Sequence, residues 1–211
     1  MLAFAALSSQ AQFLSDNNNR PITEKRYVNI TGSPYFSDEF IIGSVTVSDK
    51  NVYNNLLLQL DEVRDVLIFR ENRTGAPTLE FTTPPVIEFT LKPQSGQAVK
   101  FRRISNGEEK INGFSQVLLE GKVSLLKKTK KTIIQNATYS TANVEKTVAS
   151  SILYILLFAD NKVASFKPDK KSFLKAAGDK TAELEAYSKS QNIDFKNEED
   201  LIKLVNYYNS L

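Results

Sequence analysis

The chain has 211 residues, 41% of them hydrophobic and 24% charged, a balance that excludes both a disordered polypeptide and a membrane-embedded one. The formal net charge of +3 is too small to imply nucleic acid as a partner. The absence of Cys excludes a disulfide, a thiolate nucleophile and a lipidated cysteine anchor. The absence of His removes the commonest general base and metal ligand near neutral pH, and that of Trp removes a frequent stacking platform.

At the N-terminus Leu2–Leu7 is a short apolar run, with Ser9 and Ala11 as the small residues of a cleavage site after Ala11. Residues 1–11 read as a signal-peptide remnant lacking its basic start. The run is too short to span a bilayer, and no other segment reads as a transmembrane helix. The expected mature chain is one β-rich domain, 12–211, with a helical tail from about residue 169.

Asp16–Pro21 reads as a turn-forming entry. Its Asp16-Asn17-Asn18-Asn19 looks like the start of a calcium loop, but Pro21 stands where that loop needs Gly and Tyr27 where it needs Glu. From about Tyr27 to Phe166 the texture is β. Ser44–Ser48 alternates strictly, and Asp49-Lys50-Asn51 offers a turn into Val52–Leu60, with Leu56, Leu58 and Leu60 on one face. Asp61-Glu62 breaks that strand and Val63–Phe69 follows, before a polar loop over Glu71–Pro77. Further strands are expected at Thr78–Thr82, Val86–Leu91, Val99–Ile104, Ser115–Glu120, Val123–Ile134, Ser151–Phe158 and Lys162–Phe166. Glu120-Gly121-Lys122 and Ala159-Asp160-Asn161 suit tight hairpins. Ile152–Phe158 is apolar on both faces and reads as the most buried strand.

Beyond Phe166 the period changes. Asp169 caps a helix ended by Gly178, Asp179 caps a second reaching about Gln191, and Asn197 caps a third. On the third, Leu201, Leu204, Val205 and Tyr208 fall at i, i+3, i+4 and i+7, one apolar stripe. The fold class is therefore mainly β (α+β): an antiparallel meander, as a curved sheet or sandwich, with about three short C-terminal helices packed on it.

Four stretches, GSPYFSDEFIIGSVTV (32–47), YNNLLLQLDEVRDVLIF (53–69), GFSQVLLEGKVSLLKKTKK (113–131) and the tail KKSFLKAAGDKTAELEAYSKSQNIDFKNEEDLIKLVNYYNSL (170–211), resemble a group of uncharacterised, signal-peptide-bearing exported proteins of Bacteroidota. The resemblance covers nearly all of the chain after residue 11. It implies export to the periplasm or cell surface, and it carries over no activity and no site residues.

Composition excludes Ser-His-Asp and Cys-His triads, and no glycine-rich phosphate loop has the required spacing. Three polar features remain. Asp61, Glu62 and Asp65 cluster at a strand junction, while Glu80 and Glu88 are expected on neighbouring strands; paired carboxylates suit glycoside chemistry, yet such residues commonly solvate a strand end. Lys127, Lys128, Lys130 and Lys131 alternate across two faces of one strand, which reads as a lysine-blunted sheet edge, or else as a contact for an anionic glycan, a lipid headgroup or an acidic partner. Of two tail tyrosines, Tyr208 lies on the buried stripe and Tyr207 beside it. Asn29-Ile30-Thr31, Asn72-Arg73-Thr74 and Asn136-Ala137-Thr138 match the N-glycosylation pattern, which in a bacterial protein is coincidence. The sequence thus points to a non-enzymatic envelope binding or interaction protein with no cofactor, whose partner is an envelope protein or glycan. The alternatives are a periplasmic carrier of an apolar or acyl ligand in a curved sheet, and a hydrolase built on carboxylates or on a Ser/Lys pair.

Overall fold

Short runs of β-branched and aromatic residues, separated by Asn, Asp and Gly at left-handed positions, make this a strand protein. The computed structural model describes residues 20–22, 26–105, 110–137 and 144–211. The apolar N-terminal run, its cleavage site and Asp16–Asn19 lie outside them. The fold is mainly β with three C-terminal helices, and the chain forms two compact units. One draws on residues up to Val99 and on Lys131–Ser150; the other comprises Lys100–Lys130 and Ser151–Leu211.

In the first unit lie β1 (Arg20–Pro21), β2 (Ile30–Thr31), β3 (Ile41–Val47), β4 (Val52–Asp61), β5 (Val66–Glu71), β6 (Leu79–Glu80) and β7 (Val86–Leu91). Their hydrogen-bonded order is β1-β6-β5-β4-β3-β7, so the chain meanders from β3 to β6 and then crosses back to add β7 beside β3. Gly43 is required in β3, because a Cβ there would overlap the Thr90 carbonyl of β7 and come within 2.7 Å of Leu58 Cδ1 on β4. Val45, Val47, Leu56, Leu58, Leu60, Leu67, Phe69, Phe89 and Leu91 are buried.

The alternation expected in β4 is interrupted. Tyr53 is buried, then Leu56, Leu58 and Leu60, and the pairing with β3 slips between Gly43 and Val45. Asn55 sits at φ +57°, the left-handed conformation that asparagine tolerates, and absorbs the extra residue of a bulge. The strand expected from Val63 begins only at Val66. The Asp61 carboxylate accepts hydrogen bonds from the backbone N–H of Val63 and Arg64, each at 3.0 Å, and winds those residues into a turn.

The second unit takes most of β8 (Val99–Ile104) and all of β9 (Gly113–Leu119), the first part of β10 (Val123–Ala137), the last part of β11 (Val144–Phe158) and β12 (Val163–Phe166). These strands follow one another in chain order, a simple meander. The remainder of β10 and β11 belongs to the first unit, where β2 runs parallel to β11, Ile30 opposite Lys146. β11 reaches seven residues further toward the N-terminus than the strand expected from Ser151. Within it Tyr154, Ile155 and Leu156 are buried while Ile152 is 46% exposed.

Three helices follow: α1 (Lys170–Ala177), α2 (Thr181–Ser190) and α3 (Glu198–Ser210). Asp169 caps α1 by accepting from the Ser172 N–H at 2.8 Å, and Gly178 ends it at φ +74°. Asn197 caps α3 at the Asp200 N–H, and the acidic first turn Glu198-Glu199-Asp200 complements the helix dipole. Asp179 does not cap α2. Its neighbour Lys180 occupies that position in a left-handed conformation without a side-chain bond, and the Asp179 carboxylate instead accepts from the Tyr208 hydroxyl.

Helices this short are marginal alone, so their order comes from burial. Phe173, Leu184, Leu201, Leu204 and Val205, each 0% exposed, pack with Val123, Leu125, Tyr154, Leu156 and Phe166 in one cluster. Each such side chain contributes about 1.5–3 kcal/mol. The opposite face of β10 and β11 carries Leu126 and Ile155, which pack with Ile104 and Ile111.

Candidate functional site

The lysine run does not lie on a sheet edge. β10 runs between β9 and β11, so the edge reading fails. The four side chains do not form a basic stripe either. Lys127 pairs with Glu198 of α3 at 2.6 Å. Lys128 is 6% exposed and donates to the Phe114 carbonyl at 3.3 Å. Lys131 pairs with Glu62 at 3.0 Å and donates to the Tyr35 carbonyl. Lys130 is the exposed member. Aliphatic stems fill the sheet while the charged ends reach acids and carbonyls.

Ser115 and Lys128 are neighbours across β9 and β10, next to the Gln116–Lys127 pair. The Ser115 hydroxyl is buried without a hydrogen-bond partner, and Ser115 is 0% exposed. A nucleophile needs access to its substrate, and this one has none. Glu80 and Glu88 are not on neighbouring strands: β6 carries the first, β7 the second, and β5, β4 and β3 run between them.

The carboxylates that matter are in the first unit. Asp61 is 0% exposed, Glu80 2% and Glu62 8%, and an isolated charge at such depth costs several kcal/mol. Each has a specific partner. Glu80 receives the Arg64 guanidinium on both oxygens and Arg26 at 2.9 Å. Asp61 accepts from the two turn N–H groups and, on its other oxygen, from the Tyr27 hydroxyl at 2.7 Å. Glu62 holds Lys131. The Arg64 guanidinium is held above its ordinary pKa, first by its bond to Glu80. The Tyr27 phenol is raised well above the usual value by burial, then by its bond to Asp61, and Tyr35 is raised by burial and then by the Asp61 charge.

The backbone reinforces this network. Phe36 N–H donates to Leu60 O at 2.9 Å, Glu62 N–H to Pro34 O at 3.0 Å, and Tyr35 forms a bridge with Asp61. The stretch from Arg26 to Asp38 is thereby fastened along the β4–β5 turn. Above the buried ions it forms a cleft of about 390 Å³, lined by Arg26, Tyr27, Ser33, Pro34, Tyr35 and Asp38 among others. The two tyrosine rings meet edge to face, centroids 5.7 Å apart at 79°, and Ser33 donates to Asp38 at the rim. Arg26 and Asp38 are exposed, and Tyr27 and Tyr35 half-buried.

A second depression of about 390 Å³, in the other unit, is lined by Lys122, Asp179, Lys180, Tyr208 and Asn209 among others. Its polar groups are used to fasten α3. Tyr208 donates to the Ala177 carbonyl and to Asp179, and the Asn209 amide both accepts from and donates to the Val123 backbone, at 2.7 and 2.9 Å. Tyr207, placed beside the stripe by the sequence, is half-buried and stacks on Tyr187 with centroids 3.9 Å apart at 7°.

The sequence marked Asp61, Glu62 and Glu80 but not Arg26, Tyr27, Tyr35, Arg64 or Lys131 as their partners. The available signal was the density of ionisable residues, Asp61 to Arg64, at the end of an apolar strand. Among the described residues no three acidic side chains are grouped to hold a metal ion. No family model, no curated protein and no solved structure matches the chain.

Proposed function

We propose that this is a non-enzymatic binding protein of the cell envelope, exported to the periplasm or cell surface, that engages its partner at the Arg26–Asp38 cleft. The observation that carries the reading is the rim's rigid support. Tyr27 and Arg26 are each bonded to a buried acid, and Tyr35 is bridged to Asp61 through its backbone and packs its ring against Tyr27. Buried ion pairs contribute little net stability over apolar residues of the same size, and of the three acids only Asp61 also shapes the backbone, at the Val63–Arg64 turn. They do fix the geometry of the side chains above them, which is what recognition requires.

The chemistry of the same acids disfavours hydrolysis. A general acid needs a free proton and a nucleophilic carboxylate a free oxygen facing substrate, whereas Glu80 is clamped by two guanidinium groups and Asp61 is turned inward. The carrier alternative requires an unfilled apolar face beneath the helices. That face is occupied by the fully buried side chains of α1, α2 and α3.

Co-sedimentation with purified envelopes tests the reading. The wild-type chain is expected in the pellet, and Asp38→Ala and Tyr35→Ala in the supernatant, with unfolding midpoints recorded for each. Equal pelleting of wild type and variants refutes the cleft as the binding site.

A further inference from the structure

We infer that the Arg26–Asp38 cleft is a saccharide subsite for a neutral, hydroxyl-rich glycan segment of one or two sugar rings, an inference that rests on the binding reading above. Its charge comes first. Among the described residues the cleft's lining carries one cation, Arg26, and one anion, Asp38. An anionic ligand would meet the Asp38 carboxylate, and a cationic one the Arg26 guanidinium. Arg26 is moreover already half engaged by Glu80 at 2.9 Å. A neutral ligand meets neither penalty.

The walls come second. Tyr27 and Tyr35 lie at 79° to one another, so that one ring turns its face where the other turns its edge, and Ile30 and Pro34 complete an apolar lining. A wholly apolar ligand would strip water from Arg26, Asp38 and the tyrosine hydroxyls and return no hydrogen bonds. A ligand with a C–H face for the rings and hydroxyls around its edge satisfies both kinds of surface. Sugars have that character. The Arg26 N–H groups not bound to Glu80 donate to sugar oxygens, while the Asp38 oxygens and the Tyr27 oxygen accept from sugar hydroxyls. The cleft lies at the small end of the ~300–1,000 Å³ range of small-molecule sites and opens to solvent, which suits a short stretch of a longer glycan.

The test is saturation-transfer and chemical-shift NMR on the full chain with maltotriose, cellotriose, mannotriose and chitotriose as neutral probes. A trigalacturonate and dodecanoate serve as anionic and apolar probes. The expected result is binding of at least one neutral trisaccharide through its C–H protons, weakened about tenfold by Asp38→Ala, the loss of one hydrogen bond to a charged group. Tyr35→Ala is expected to weaken it at least as much. Asp38 is exposed, so its variant folds even if the Tyr35 variant does not. Binding of none of the four neutral probes, equal binding by wild type and Asp38→Ala, or binding of only the anionic or apolar probe overturns the inference. If that happens while Asp38→Ala still releases the chain from envelopes, the glycan assignment falls and the binding site stands. If envelope pelleting is also unaffected, both fall.

Discussion

Replacing Tyr27 by Phe removes one oxygen and leaves the ring. No cavity opens, so the cost isolates the bond from the Tyr27 hydroxyl to Asp61, 2.7 Å long and made to a carboxylate with no solvent exposure. Asp61 keeps its two turn N–H donors on one oxygen, and the other oxygen loses its hydroxyl donor. A hydrogen bond to a charged group is worth about 1.5–3 kcal/mol, and the two N–H donors that Asp61 keeps point to the lower part, about 1.5–2 kcal/mol. For a chain of this size each kcal/mol moves the midpoint about 2–4 °C, so the thermal midpoint is expected to fall about 3–8 °C. Urea denaturation at pH 7 measures the free energy. The double-mutant cycle with Asp61→Asn separates the pair from its surroundings, and Tyr27→Phe is expected to cost less once Asp61→Asn is present. A Tyr27→Phe cost below about 0.5 kcal/mol, the scale of an ordinary surface change, refutes the view that Tyr27 is held by Asp61.

Leu204→Ala, at a 0% exposed position in the helix-packed cluster, should cost about 2–5 kcal/mol by urea denaturation, and deletion of Asn197–Leu211 should destabilise its unit outright. Lys128→Ser is expected to lower the thermal midpoint and Lys130→Ser to leave it within error, because only the first lysine is buried; equal effects would restore a purely surface role for the run. Stability should fall as pH rises above about 10. Unfolded tyrosines ionise near pH 10, and folded Tyr27 and Tyr208 keep their protons to higher pH, so unfolding there releases protons and alkali drives it. Urea midpoints from pH 8 to 11 measure this, and Tyr27→Phe should flatten the alkaline limb.

Much of the fold was legible because it follows from short-range chemistry. β7 and β8 match their expected spans to the residue, and the α3 stripe is buried at all four of its positions. What was hidden depended on partners distant in sequence. Asn55 gives no sign of a bulge until the pairing of β4 with β3 is seen to slip between Gly43 and Val45. Val144–Ser150 is too polar to announce a strand, and β11 nonetheless extends over those residues. Asp179 is a sound helix cap by sequence, and lost that role because Tyr208, 29 residues on, reaches its carboxylate. Carboxylates are usually exposed, and Asp61 and Glu80 are buried only because Tyr27, Arg26 and Arg64 come to meet them.

The division of the chain into two units, each assembled from two separate stretches, has a consequence for inheritance. A cut after residue 150 falls within β11, and a cut after residue 130 falls within β10. No single continuous gene fragment encodes either unit without also carrying strand that belongs to the other. Recombination that copies one unit into a new protein would therefore carry along strand from the other unit without its own partners. The pair is expected to travel through genomes together, and a relative holding only one should be recognised by a circularly permuted or looped-out order rather than by truncation.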